Sequence, residues 1–289
     1  MTSLVQLLFD GLVGGAIYAL IALGITLVYG LTKIIHFAVG EMVTFGAFLA
    51  LTFLGLTGGN YVIALLSAIV GVSLLGLVTE RTMFRFTFDS PLSGFIVSLG
   101  LILVLQGVIV EIWTSGSQSA RPAVGGAIDI SGVSLRYQSM INLALAAVIL
   151  GSFYLILRRT KFGQALRATS DDREAALLMG VPIRTIAMTT FVIASALAGV
   201  AGWIVLTMGT VSPFVGTSYV LRGFAVALIG GLGSVSGAVI AGVGLGVVEN
   251  LAIGFLPPGW TDVYVFALVV VVLLIRPTGL RAGAEGAHL

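Results

Sequence analysis

The 289-residue chain contains no cysteine, two histidines, seven prolines and only 26 charged side chains. The missing thiols exclude disulfides and thiolate metal centres. His36 and His288 are the only imidazoles, and neither an HExxH nor a GxSxG pattern occurs, so the common hydrolase constellations are absent. Lys33 and Lys161 each follow a threonine. No GxxxxGK[ST] phosphate loop is therefore encoded, and any nucleotide hydrolysis belongs to another polypeptide. No catalytic residue, cofactor or metal is expected.

What the chain has in abundance is apolar length. Hydrophobic residues make up 58% of it, and the mean hydropathy is +1.15. Runs of roughly 20 apolar residues recur, each able to cross a hydrocarbon core about 30 Å thick. Lipid admits only helices or closed barrels. Barrel strands would alternate apolar and polar residues, and these runs do not. The predicted fold is an all-α polytopic integral membrane protein forming one domain, residues 1–289. Full spans are expected at 8–30, 40–57, 61–80, 92–113, 140–157, 186–206, 234–255 and 262–275. A shorter apolar piece at 218–233 is a ninth span or a re-entrant half-helix, giving eight to nine crossings. With no basic n-region at its start, the first run reads as a retained span.

The net charge of +2 does not indicate nucleic acid, because the basic residues lie at membrane edges. With the N-terminus outside and 218–233 crossing, 11 of the 14 Lys and Arg residues lie on the cytoplasmic side, leaving Arg121, Arg136 and Arg222 outside. That satisfies the positive-inside rule, and the flipped topology breaks it. The C-terminus is then cytoplasmic. Loop 114–139, rich in Gly and Ser, is the largest outside loop and reads as a small hairpin, either a connector or a docking surface. Glycine pairs at four-residue spacing, Gly11/Gly15, Gly233/Gly237 and Gly242/Gly246, read as close-packing seams.

Charge concentrates in one place: residues 158–184 carry nine of the 26 charged side chains. Within it, Asp171-Asp172-Arg173-Glu174 reads as a helix start, with Asp171 as cap and Glu174 completing a capping-box-like pattern. Gly180 and Pro182 stop a helix over 172–179. Ala175 and Ala176 keep it slim, and Ala175, Leu178 and Met179 share a face. So short a helix is unstable alone. It packs on the membrane surface or the protein's own helix ends, or it docks in a groove of a cytoplasmic protein.

The stretch GQALRATSDDREAALLMGVP (163–182) resembles the cytoplasmic coupling loop of bacterial ATP-binding-cassette importer permeases, and more narrowly that of the branched-chain amino acid permeases of the LivH type. GGAIYALIALGITLVYGL (14–31), GEMVTFGAF (40–48), FVIASALAGVAG (191–202), GFAVALIGGLGSVSGAVIAG (223–242) and VLLIRPTGL (272–280) extend the resemblance over most of the chain. It implies a bacterial inner-membrane assembly. Its other members would be two cytoplasmic ATPase subunits, a second permease subunit that is a paralogue, and an external substrate-binding protein. It further implies an ATPase-coupling helix in which Gly163, Asp171, Asp172, Glu174, Ala175, Ala176, Leu178, Met179 and Gly180 take part. Branched-chain or other hydrophobic amino acids are the implied cargo.

Pathway candidates are His36, Glu41, Glu249 and Asn250. The family's usual INFAHGE has Asn and His where this chain has His36 and Val39, while Gly40 and Glu41 match. Glu41 reads as a cap of the second helix or a pathway group, and His36 as interfacial or a ligand. Glu249 lies within a span, where a carboxylate costs about 2.5–3.5 kcal/mol on insertion scales. It must line the route or bond a neighbouring helix. Gln106 and Asn142 read as interhelical hydrogen-bond partners. The competing classes are a stand-alone secondary transporter driven by a proton or sodium gradient, a passive channel and a membrane enzyme.

Overall fold

The computed structural model describes residues 4–88, 90–130, 133–277 and 279–280. Arg281, His288 and both extreme termini lie outside the described residues. Seven helices are long and apolar enough to cross a membrane: α1 (Leu4–Thr32), α2 (Val39–Leu56), α3 (Tyr61–Thr82, continuing through a 3-10 turn to Phe86), α4 (Pro91–Trp113), α5 (Tyr137–Arg159), α8 (Ile183–Met208) and α10 (Val235–Phe255). Between α5 and α8 lie the short α6 (Lys161–Asp171) and α7 (Arg173–Leu178). Two shorter apolar helices complete the set, α9 (Val215–Gly230) and α11 (Thr261–Ile275). The fold is all-α and polytopic, as the unbroken apolar runs require.

Burial is arranged for lipid rather than water. Helices α1 and α8 are enclosed on nearly all sides, whereas α3, α4, α5 and α11 turn large apolar side chains such as Leu66, Leu103, Val148 and Leu274 outward. Small residues let the central helices approach backbone to backbone. A Cβ on Gly15 would sit 2.7 Å from the Gly242 carbonyl, and one on Gly242 would sit 2.8 Å from the Ala19 Cα. The predicted Gly11/Gly15 and Gly242/Gly246 pairs therefore face each other across α1 and α10. Gly233 is not part of a seam. It is a turn residue with φ +97° and nothing within 4 Å of where its Cβ would sit, and Gly237 packs on Gly230 instead.

Two faces can be told apart by contact. Gly30 at the end of α1 lies beside Ser170 and Gly233, and the Leu280 N–H donates to the Ile229 carbonyl at 2.8 Å. This is the basic face, where residues 158–184 sit. On the other face, β1 (Gln118–Ser119) pairs antiparallel with β4 (Thr210–Val211). There β2 (Ala127–Ile130) and β3 (Val133–Arg136) form the expected hairpin, with Ala127 opposite Arg136.

Candidate functional site

On the basic face, Thr160 caps α6 by accepting from the Gly163 N–H at 3.3 Å. Gly163 is required by the tight return from α5, because a Cβ there would overlap the Leu157 carbonyl group. Gly163, Leu166 and Thr169 form the buried face of α6. Asp171 ends α6 and caps nothing. The cap of α7 is Asp172, whose Oδ1 accepts from the N–H groups of Glu174 and Ala175, both at 2.9 Å. The expected cap was one residue early because the chain is already helical through Asp171, and only Asp172 has the extended backbone (φ −147°, ψ 107°) that a cap needs.

The far end closes as anticipated. Gly180 has φ +81°. Its N–H donates to the Leu177 carbonyl and that of Val181 to the Ala176 carbonyl, both at 3.0 Å. This is the paired termination that a left-handed glycine permits. Ala176 alone of α7 is buried, so the face inferred for Ala175 does not pack inward. Leu177, Leu178 and Met179 are 61%, 87% and 85% exposed. A six-residue helix with both ends satisfied thus displays three apolar side chains, beside residues 84–88, where the Arg173 guanidinium lies over the Phe88 ring at 5.9 Å.

Inside the bundle, the pathway candidates separate into two groups. Residues 33–38 between α1 and α2 run non-helically yet are largely enclosed. Such backbone is tolerated at membrane depth only when protein covers it. His36 is buried, not interfacial: it packs between the rings of Phe84 (4.6 Å) and Phe191 (5.7 Å), with Nδ1 3.3 Å from Ser98 Oγ. Ser98 lies about two turns into α4, so α2 starts well inside the bundle. Glu41 does not cap α2. Its Oε1 accepts from Gln106 Nε2 at 3.0 Å and Thr217 Oγ1 at 3.3 Å, joining α2, α4 and α9. The Gly216 N–H donates to Thr44 Oγ1 at 2.9 Å, so α9 also begins deep. Its 16 residues make about 24 Å of helix, too short to span alone.

The second group borders a cavity of about 820 Å³ on the face opposite α6 and α7, roofed by residues 120–127 and walled by α1, α5, α9 and α10. Asp10, Tyr18, Asn142, Thr207, Glu249 and Asn250 line it. Glu249 bonds a neighbouring helix: Arg222 Nε donates to its Oε1 at 2.8 Å, and Arg222 Nη2 reaches Asp262 Oδ1 at 2.7 Å. Arg222 is therefore not a loop charge marking the outside face; a carboxylate on each side holds it within the bundle. Its pairing could have been sought in sequence from the only Arg and the only Glu within the apolar stretch 215–255.

Asn142 is held by a relay. The Val124 N–H donates to Gln138 Oε1 (3.2 Å), and Gln138 Nε2 donates to Asn142 Oδ1 (3.0 Å), which also accepts from Thr207 Oγ1 (3.1 Å). A backbone N–H thus fixes the direction of both amides and leaves Asn142 Nδ2 as the surplus donor. Nδ2 is buried without a partner among the described residues, and Glu249 Oε2 is buried without a well-formed hydrogen bond. Each such group costs about 1–3 kcal/mol or more when left unsatisfied. Among the described residues no cluster of three or more potential metal ligands occurs.

A sequence model described as the branched-chain amino acid transport system permease component matches residues 7–273. The chain belongs to this permease family. It is 33% identical to the high-affinity branched-chain amino acid transport system permease protein LivH of Escherichia coli K12 and 32% to BraD of Pseudomonas aeruginosa. Each alignment covers 97% of this chain and 96% of the relative. A probable branched-chain amino acid permease of Methanocaldococcus jannaschii is 30% identical over 92% of this chain and 90% of its own. A more distant relative, 26% identical over 93% of this chain, is an autoinducer 2 import permease of Escherichia coli. No solved structure matches the permease.

Proposed function

We propose that this permease is the membrane subunit of an ATP-driven importer for branched-chain or similar hydrophobic amino acids. It forms a single domain in a bacterial inner membrane. The observation that carries this reading is α7: a helix capped by Asp172, closed by Gly180 and presenting Leu177, Leu178 and Met179 outward. Exposed apolar residues on the charged face need a partner, and an ATPase groove supplies one. Two ATPase subunits, a paralogous second permease and an external binding protein complete the assembly. Residues 158–184 and the C-terminus face the cytoplasm, and the N-terminus and residues 114–139 face outward. Helices α9 and α11 complete crossings together with the short segments before them, giving nine passes.

The relatives' printed names support the amino acid cargo. The gradient-driven alternative loses its main candidate, since Glu249 is tied to Arg222. The test is reconstitution with the cognate ATPases and binding protein in proteoliposomes. Leucine uptake that requires all components and ATP is the expected result; uptake by the permease alone, driven by a proton or sodium gradient, overturns it.

A further inference from the structure

We infer that the cavity beneath residues 120–127 is a receiving site for a zwitterionic α-amino acid, with Asn142 Nδ2 meeting its carboxylate and Glu249 Oε2 its ammonium. For its direction of use the inference rests on the importer reading. Three observations carry it. The cavity wall holds one N–H donor without a partner among the described residues and one carboxylate oxygen that no hydrogen bond of good geometry satisfies, although the Tyr18 hydroxyl lies beside that carboxylate; both are on buried side chains. The donor is directed by the relay through Gln138 from the Val124 N–H, so the roof of the cavity sets what its wall offers. Met208 and Ile253, 44% and 43% exposed on the same lining, offer apolar surface for an aliphatic side chain. About 820 Å³ falls within the range of small-molecule sites, roughly 300–1,000 Å³.

The charge balance favours a zwitterion over an anion. Asp10 and Glu249 face Arg136 on the lining, and Arg222 behind it is shared with Asp262. No cationic excess exists to hold a carboxylate without its ammonium. A neutral polyol could make only one charge-assisted hydrogen bond, to Glu249, where a zwitterion makes two.

The permease lacks cysteine, so Ser139→Cys, on the cavity lining, gives this chain one thiol, whose maleimide labelling can be followed on the separated permease band after reaction of the assembled importer. L-Leucine at roughly ten times its dissociation constant should slow labelling about tenfold, as occupancy of the site requires. 4-Methyl-2-hydroxypentanoate, lacking the ammonium, 3-methylbutylamine, lacking the carboxylate, and ribose should not protect. Asn142→Asp keeps the acceptor for Gln138 and Thr207 but replaces the donor, and should abolish protection. If that variant does not assemble, the comparison of the four compounds on the Ser139→Cys importer still decides. Equal protection by the hydroxy acid, the amine or ribose overturns the assignment. So does an importer that takes up amino acids but shows no protection by any proteinogenic one. Protection by leucine without ATP-driven uptake would uphold the receiving site and sink the importer reading.

Discussion

At the scale of the residue, the helix α7 depends on its two ends. Asp172 accepts two backbone hydrogen bonds, whereas Asp171 caps nothing, so the two neighbouring aspartates should behave differently. Asp172→Ala should cost the helix about 1 kcal/mol and lower ATPase co-purification; Asp171→Ala should leave it near the parent level. Gly180 has open space where a Cβ would go, so Gly180→Val acts through backbone strain alone. Holding valine at φ +81° costs about 1–2 kcal/mol. The variant should reach the membrane at normal level yet couple hydrolysis to uptake poorly; unimpaired coupling would mean that α7 is only a connector. Arg222 makes a different case. Arg222→Met leaves Glu249 and Asp262 without their counter-charge, a loss of about 3–5 kcal/mol. Arg222→Met/Glu249→Met should recover most of it, read as thermal aggregation of the detergent-purified permease.

At the scale of the element, packing rather than polarity holds α1 to α10. Gly15→Leu should abolish accumulation of folded permease, because its Cβ meets the Gly242 carbonyl and the Val243 Cα within 3 Å. Gly244→Leu on α10, where a Cβ would meet nothing within 4 Å, should accumulate normally. The two are to be compared by fluorescence-detected gel filtration. The helices themselves were legible because apolar length is a local property, and so were the seam glycines Gly11, Gly15, Gly242 and Gly246, whose spacing is local too. Gly180 was legible for the same reason: a glycine just past a helix end has one inexpensive conformation. The misreadings came where partners are distant in sequence. Nothing near His36 announces Phe84, Ser98 or Phe191, and nothing near Glu41 announces Gln106 or Thr217, so sequence leaves His36 open between interface and ligand, and Glu41 between cap and pathway group. Helix α6 carries a face that sequence can show, with Phe162, Ala165, Leu166 and Thr169 at i, i+3, i+4 and i+7, but the charges around it draw attention to α7 instead. Of the cavity, Glu249 and Asn250 were found as intramembrane polar groups. The relay on Asn142 was not, because it depends on a loop folding back over α5.

At the scale of the whole molecule, the two faces differ in charge and in chemistry. Of the described Lys and Arg residues, Arg121 and Arg136 alone lie on the cavity face, Arg222 is enclosed, and the rest gather around α6, α7 and the neighbouring helix ends. The positive-inside rule favours the proposed orientation, with the cavity outward and α7 in the cytoplasm. That orientation also gives the cavity and α7 their order of use. Cargo would arrive on the face roofed by residues 120–127, and the ATPase would act on the other, with α1, α8 and α10 running between. Single cysteines can decide it. Ser117→Cys and Leu178→Cys sit at exposed positions on opposite faces, and the parent has no thiol to confuse the signal. In intact cells a membrane-impermeant maleimide should label Ser117→Cys and leave Leu178→Cys untouched until the membrane is permeabilised. Co-expression with the cognate ATPase should then shield Leu178→Cys even after permeabilisation, since that side chain is 87% exposed without a partner and lies at the centre of the surface offered to it. The reverse labelling pattern in intact cells would turn the molecule over and remove the cytoplasmic role of α7. Correct sidedness without shielding would keep the topology and leave the three apolar side chains of α7 facing lipid headgroups instead of an ATPase.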